Sequence, residues 1–216
     1  MLKRHQLTLA GEHAMMLKGA EGLLEACLTV PEAMNTHYLA LLGHPHSLQG
    51  GTMNNKVVTT LVRVFKELGI ASLRFNFRGV GASSGVYDSG IGESEDMLCL
   101  SAQCADALPG ASLCFAGFSF GSYVAYRAAA QYPHALLVTV APPVHHFDYT
   151  EWPRQPAPWL LVQGDLDDVV PLSEVLDFAG NASLPVLGFP EAGHFFHGQL
   201  IALKARLLQA IRLEIP

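Results

Sequence analysis

The sequence predicts an α/β protein: a mostly parallel central sheet with helices on both faces. Three observations lead there. Continuous apolar runs of strand length recur along the chain, and stretches of helical period alternate with them. No repeat, low-complexity tract or linker divides the 216 residues, so a single domain over 1–216 is expected. A composition that is 50% apolar and only 15% charged suits a substantial core and argues against disorder.

Taken in order, Leu7–Leu9 and Leu23–Val30 read as an antiparallel edge hairpin. YLALLG (38–43) is an unbroken apolar strand. NNKVVTTLVRVFKELG (54–69) follows as a helix, with Val57, Val58, Leu61, Val62, Phe65 and Leu68 on one face and Gly69 as its stop. IASLRFNF (70–77) alternates like a strand, and ESEDMLCLSAQCADAL (93–108) reads as a helix. SLCFAGFSFGSYVAYRAAAQ is a buried strand, a turn and an alanine-rich helix. ALLVTV (135–140), WLLVQ (159–163) and LPVLGF (184–189) supply three more strands. PLSEVLDFAG (171–180) is a helix opened by proline and closed by glycine, and a last helix runs from about His197 to Glu214.

Several function classes are disfavoured. The net charge is −6 and no run of lysines or arginines occurs, which speaks against nucleic acid or an anionic membrane as partner. No apolar segment approaches the roughly 18 residues of a membrane span. MLKRHQLTLAGEH lacks the apolar stretch and cleavage site of an export signal. The four cysteines form no CxxC pair, so free thiols and a cytoplasmic location are expected.

The chemistry concentrates at GFSFG (117–121). A serine hydroxyl is a weak nucleophile until an oriented base removes its proton. Strand–GxSxG–helix forms a turn tight enough that side chains at Gly117 or Gly121 would strike backbone, holding Ser119 out over the sheet edge. The pentapeptide alone is common by chance, and a serine there could simply cap the helix. The elbow, however, calls for an acid and then a histidine, each in a loop after a later strand. WLLVQGDLDDVVP offers Asp165, Asp167 and Asp168, and GFPEAGHFFHG offers His194, with His197 as its competitor.

With these pieces in place the chain resembles the α/β-hydrolase family, in particular its small bacterial serine hydrolases. The resemblance spans nearly the whole length through GHPHSLQGGTMNNKVV, RFNFRGVGASSG, GFSFG, GDLDDVVP and EAGHFFHG. It implies Ser119 as nucleophile, His194 as base and Asp167 as the acid that orients it. Asp165 is then a turn residue, and Asp168 stands where it could help start the next helix. The oxyanion needs two donors. One is the backbone N–H of Phe120, the residue after the nucleophile. By resemblance the other is His46 of the GHPHSLQGG loop, with Ser47 as neighbour; Pro45 has no N–H to give.

Other readings of the same residues are weaker. His44 and His46, with His145, His146, His194 and His197, supply imidazoles for a metal, but no carboxylate lies near the HPH segment, and no metal is expected. RGVGASSG spaces its glycines as GxGxxxG and matches no dinucleotide fingerprint, so no cofactor is expected and Arg78 is given a structural role. The 18 residues of 141–158, rich in proline, are too few for a lid domain. An open site follows, with Phe118, Phe120, Phe147, Tyr149, Trp152 and Phe195 as candidates either for a small apolar pocket or for core, and core is the expected place of Phe118.

The resemblance thus implies a carboxylesterase for small or medium acyl groups, with a small-molecule ester as its partner. A thioesterase, amidase or peptidase would use the same machinery, and a binding protein could keep the fold without the chemistry.

Overall fold

The computed structural model describes residues 1–215. Eight strands and five helices follow in the order β1 (Gly11–Lys18), β2 (Leu23–Val30), β3 (Tyr38–Gly43), α1 (Lys56–Glu67), β4 (Ala71–Phe75), α2 (Ile91–Ala107), β5 (Ser112–Phe118), α3 (Phe120–Gln131), β6 (His134–Val140), β7 (Trp159–Gly164), α4 (Leu172–Ala182), β8 (Val186–Phe189) and α5 (Leu200–Glu214). One sheet takes the order β1-β2-β4-β3-β5-β6-β7-β8. β1 and β2 run antiparallel to their neighbours, and every other pairing is parallel.

The apolar runs are continuous because both faces of the sheet are covered. In β3, Leu39 and Leu41 join one core with residues of α2 and α3, whereas Ala40 and Leu42 join a second core with residues of α1 and α5. A strand buried on both sides has no polar position to alternate with, so period 2 disappears from the text.

Three sequence expectations are corrected at the edges. Leu7–Leu9 is not a strand; Arg4–Thr8 is a 3₁₀ turn that buries Leu7. The strand paired with β2 is Gly11–Lys18, whose register runs from Gly11 opposite Val30 to Lys18 opposite Leu23. Its outer position leaves only Leu17 buried, and its polar residues hide the strand signal. α4 runs past Gly180 to Ala182 and ends at Ser183 in the left-handed region (φ +55°). α5 begins at Leu200, leaving His197 in the preceding turn.

The 141–158 segment contains no helix or strand, so the fold carries no lid. It packs down as a wall: the Phe147 and Tyr123 rings stack 4.5 Å apart, and Tyr149 is buried. Among the described residues no helix is long and apolar enough to cross a membrane. All four cysteines are free thiols.

Candidate active site

β3 and β5 lie side by side, and their pairing ends with Gly43 opposite Gly117. Beyond this edge the backbone turns so sharply that Ser119 adopts φ +54°, ψ −124°, an arrangement that costs a non-glycine residue about 1–3 kcal/mol. The glycines permit it. A Cβ on Gly117 would lie 2.0 Å from the Gly121 carbonyl oxygen, and one on Gly121 would lie 2.4 Å from the Gly43 carbonyl carbon. The strained turn is tied down by hydrogen bonds. The Ser119 N–H donates to the Val140 oxygen at 2.8 Å, and the buried Ser122 hydroxyl reaches the Gly117 and Val140 oxygens at 2.9 and 3.0 Å.

The three residues singled out from distant parts of the chain meet at this edge. His194 Nε2 lies 3.0 Å from Ser119 Oγ, and His194 Nδ1 lies 2.9 Å from Asp167 Oδ2. The Asp167 and His194 side chains are almost fully buried. Asp167 Oδ1 accepts the N–H groups of Val169 and Val170 at 2.9 and 2.7 Å, and Gln163 Nε2 donates to Oδ2 at 3.2 Å. Burial by itself would raise the Asp167 pKa. The hydrogen bond from His194 and those from Val170 and Val169 outweigh it, so the carboxyl is held below its ordinary value and stays ionised. An ionised Asp167 accepting at Nδ1 places the imidazole proton there, leaving Nε2 free to accept from the serine. Asp165 and Asp168 are both exposed and lie outside this chain of bonds, and His197 is exposed beside Phe195.

Phe120 and His46 flank the serine. Among the described residues neither main-chain N–H is donated to another protein group. Phe120 is the first residue of α3, so its N–H also sits at the positive end of a helix dipole. His46 precedes a 3₁₀ turn (Ser47–Gln49), and its carbonyl accepts from Gln49 and Gly51, each at 3.0 Å. Together with Pro45, Gln49, Gly50, Gly51, Asn55 and Val169, it walls a cavity of about 230 Å³ that holds Ser119, His194 and Phe195. Wider hollows of about 430 and 480 Å³ lie elsewhere and contain none of the three.

The expected aromatic pocket is mostly core. Of the six candidates only Phe195, 44% exposed, borders the cavity. Phe118 is buried with its ring 5.0 Å from that of His194, Tyr149 is buried, and Phe120 packs against Phe77 and Phe147. Trp152 lies under the Arg127 guanidinium instead.

The histidine pair of the HPH loop is divided by burial. His44 is completely buried; its Nδ1–H donates to the Pro45 oxygen at 2.7 Å, and its Nε2 accepts the Phe77 N–H at 2.9 Å. It is a structural tie between the loops after β3 and β4. Burial lowers its pKa from 6.5 to about 4, against a smaller opposing pull from the Pro45 carbonyl. The folded chain therefore refuses a proton that the unfolded chain accepts below pH 6.5. Stability is full above that value and lost as pH falls toward 4, by about 3 kcal/mol. Urea unfolding at pH 7 and 4.5 checks this: the wild type should lose about 2 kcal/mol more than His44→Asn, whose amide does not titrate.

Among the described residues no group of three histidine, cysteine or acidic side chains could hold a metal. Arg78 is structural: its Nε donates to Asp96 at 2.8 Å, and Asp96 also accepts the Ala20 N–H at 2.8 Å. Gln163, Ser122, Glu93 and Tyr87 were missed from the sequence. Gln163 left a visible signal, as the polar residue ending the apolar run WLLVQ, and Glu93 a fainter one, three residues after Gly90 at a helix start; Ser122 and Tyr87 left none.

A serine elbow at the tip of a central parallel strand, an acid and a histidine after later strands, and no lid define the α/β-hydrolase fold without a lid. Comparison with known proteins agrees. The structure matches a lidless α/β serine hydrolase from Xanthomonas campestris with a TM-score of 0.91 and 38% identity, covering 96% of this chain and 97% of that one. It also matches an α/β serine hydrolase homologue from Coxiella burnetii with a TM-score of 0.89 and 41% identity, over 94% and 98% of the two chains. An uncharacterised protein of Rickettsia prowazekii is 35% identical over 170 residues, which is 76% of this chain and 71% of that protein. No family model matches the sequence. The chain belongs to the α/β-hydrolase superfamily, among its lidless members.

Proposed function

We propose that this protein is a carboxylesterase for small or medium acyl esters, working through an acyl-enzyme on Ser119. His194 Nε2 takes the hydroxyl proton as Oγ attacks the ester carbonyl. Asp167 holds the imidazole tautomer and offsets its charge once protonated. The tetrahedral oxyanion accepts from the Phe120 and His46 N–H groups. Collapse expels the alcohol, protonated by His194, and leaves the acyl group on Ser119. Water, deprotonated by His194, then attacks the acyl carbonyl; the carboxylic acid departs and Ser119 regains its proton.

The observation that carries this reading is the buried hydrogen-bonded chain from Ser119 through His194 to Asp167. The kinship with lidless serine hydrolases supports it at the level of a hydrolase. The cavity supports the acyl size. About 230 Å³ falls below the roughly 300–1,000 Å³ that drug-sized ligands fill, and its lining includes the apolar side chains of Val169 and Phe195, both about half exposed. A series of p-nitrophenyl esters from acetate to laurate, run beside matched thioesters and anilides, tests it. The highest kcat/KM is expected for acyl chains of about two to eight carbons on oxygen esters. No ester turnover above the buffer rate, or a clear preference for thioesters or anilides, would overturn the substrate assignment.

A further inference from the structure

We propose that Tyr87 is a positioning residue that holds the two oxyanion donors at a fixed separation. The inference rests on reading Phe120 and His46 as those donors. They reach the site on different elements, one opening α3 and the other in the loop after β3. Sheet pairing last joins the two stretches at Gly43 and Gly117. Past that point the close approach of Gly121 to Gly43 fixes only the base of the His46 loop.

What joins the loop tip to the helix start is a cluster of three rings. Tyr87 lies 4.9 Å from His46 and 5.5 Å from Phe120, and His46 lies 5.1 Å from Phe120. Tyr87 is the member that contributes no donor of its own. It also bonds the His46 ring. His46 Nδ1 accepts the Leu48 N–H at 3.3 Å, which leaves the proton on Nε2, and Nε2–H donates to the Tyr87 hydroxyl at 3.1 Å. With both ring nitrogens engaged and the ring held between those of Tyr87 and Phe120, each tilted against it, the His46 backbone has little room to rotate its N–H away.

Tyr87 is itself anchored. The N–H groups of Asp88 and Gly90 donate to the two oxygens of Glu93 at 2.9 and 2.8 Å, and Asp88 accepts the Gly92 N–H at 3.0 Å. Glu93 is completely buried in the first turn of α2. The tie therefore runs from α2 through Glu93 and the 88–90 turn to the Tyr87 ring, and from there to both donors. Tyr87 does not line the cavity that holds Ser119, so its effect on the reaction passes through His46 and Phe120.

Loss of an oxyanion donor costs about 10²–10³ in rate, and a misplacement of about 1 Å costs about 10². Tyr87→Phe keeps the ring and removes the hydroxyl; Tyr87→Leu keeps apolar bulk and removes the ring. Phosphonylation of Ser119 by a fluorophosphonate also builds negative charge on an oxygen in that hole, so its kinetics read the donors without knowing the natural substrate. With thermal unfolding confirming folded variants, kinact should fall about tenfold in Tyr87→Phe and about a hundredfold in Tyr87→Leu, with KI within about twofold of wild type. Wild-type kinact in both variants, or a loss confined to KI, would overturn the positioning role while leaving the serine-hydrolase reading intact. A wild type that does not react at all would instead sink that reading, and this inference with it.

Discussion

Ser119→Ala should lower kcat on the best p-nitrophenyl ester by about 10⁶, with KM changed little. The size follows from the way the three side chains act as one unit. Without Oγ no acyl-enzyme forms, and His194, oriented by Asp167, has no hydroxyl proton to take. What remains is attack by water on a substrate still held near the Phe120 and His46 N–H groups, a residual worth about 10³ over the uncatalysed rate. Stability should change little, because alanine bears the φ +54° backbone as serine does and the serine side chain makes no hydrogen bond to the helix end that would be lost. Steady-state kinetics on purified variant and wild type decide the matter. A loss smaller than about tenfold would remove Ser119 from the mechanism.

Asp167→Asn should cost about 10⁴ in kcat, and the reason lies in the hydrogen bonds around the carboxylate. Val169 and Val170 both donate to Oδ1. In the variant the amide oxygen must stay there, which turns the NH₂ group toward His194 Nδ1. The imidazole can then avoid a donor–donor clash only by carrying its proton on Nε2, where it can no longer accept from Ser119. The Gln163 donor at the Oδ2 position makes the same amide orientation costly, so some loss of stability accompanies the loss of rate. The wild-type carboxyl, held below its ordinary pKa, contributes stability that is present at neutral pH and is lost as pH falls through the folded value. Asp167→Asn should therefore show a shallower decline in unfolding free energy on acidification, measured by denaturant titration at neutral pH and at pH 3. Equal declines would mean that the carboxylate is not stabilised by its donors.

The parts of the site that were legible in the sequence share a physical property: each is set by a local event at the end of a strand. Gly117 and Gly121 are demanded by backbone contacts of 2.0–2.4 Å, so the turn announces itself in composition. Asp167 and His194 follow strands in the chain order that the elbow calls for, and the family resemblance selects them among neighbouring aspartates and histidines. Burial then separates Asp167 from Asp165 and Asp168. The strands of the sheet interior were legible for a similar reason, since helices on both faces require unbroken apolar runs.

The parts that were hidden depend on what the chain meets elsewhere. β1 is an edge strand that buries only Leu17 and carries Glu12, His13 and Lys18 among its apolar residues, and Leu7 is an apolar residue buried by a 3₁₀ turn rather than a strand. Phe120 and Tyr149 stood open between pocket and core because aromatic side chains beside a nucleophile suit either role; the packing of the sheet and the 141–158 wall assigns them to core, where Phe118 was already expected. Tyr87 gave no signal at all. Its position beside His46 and Phe120 is created by the Glu93 anchor, a contact between main-chain N–H groups and a buried carboxylate that no periodicity encodes.

The decisive measurement is peptide mapping of the intact protein after treatment with a fluorophosphonate at neutral pH. A single phosphonyl adduct on Ser119, abolished by heating beforehand and slowed by a competing short ester, is the predicted outcome. A protein that stays unmodified, or one that carries the adduct on another residue, would contradict an activated hydroxyl at the tip of β5.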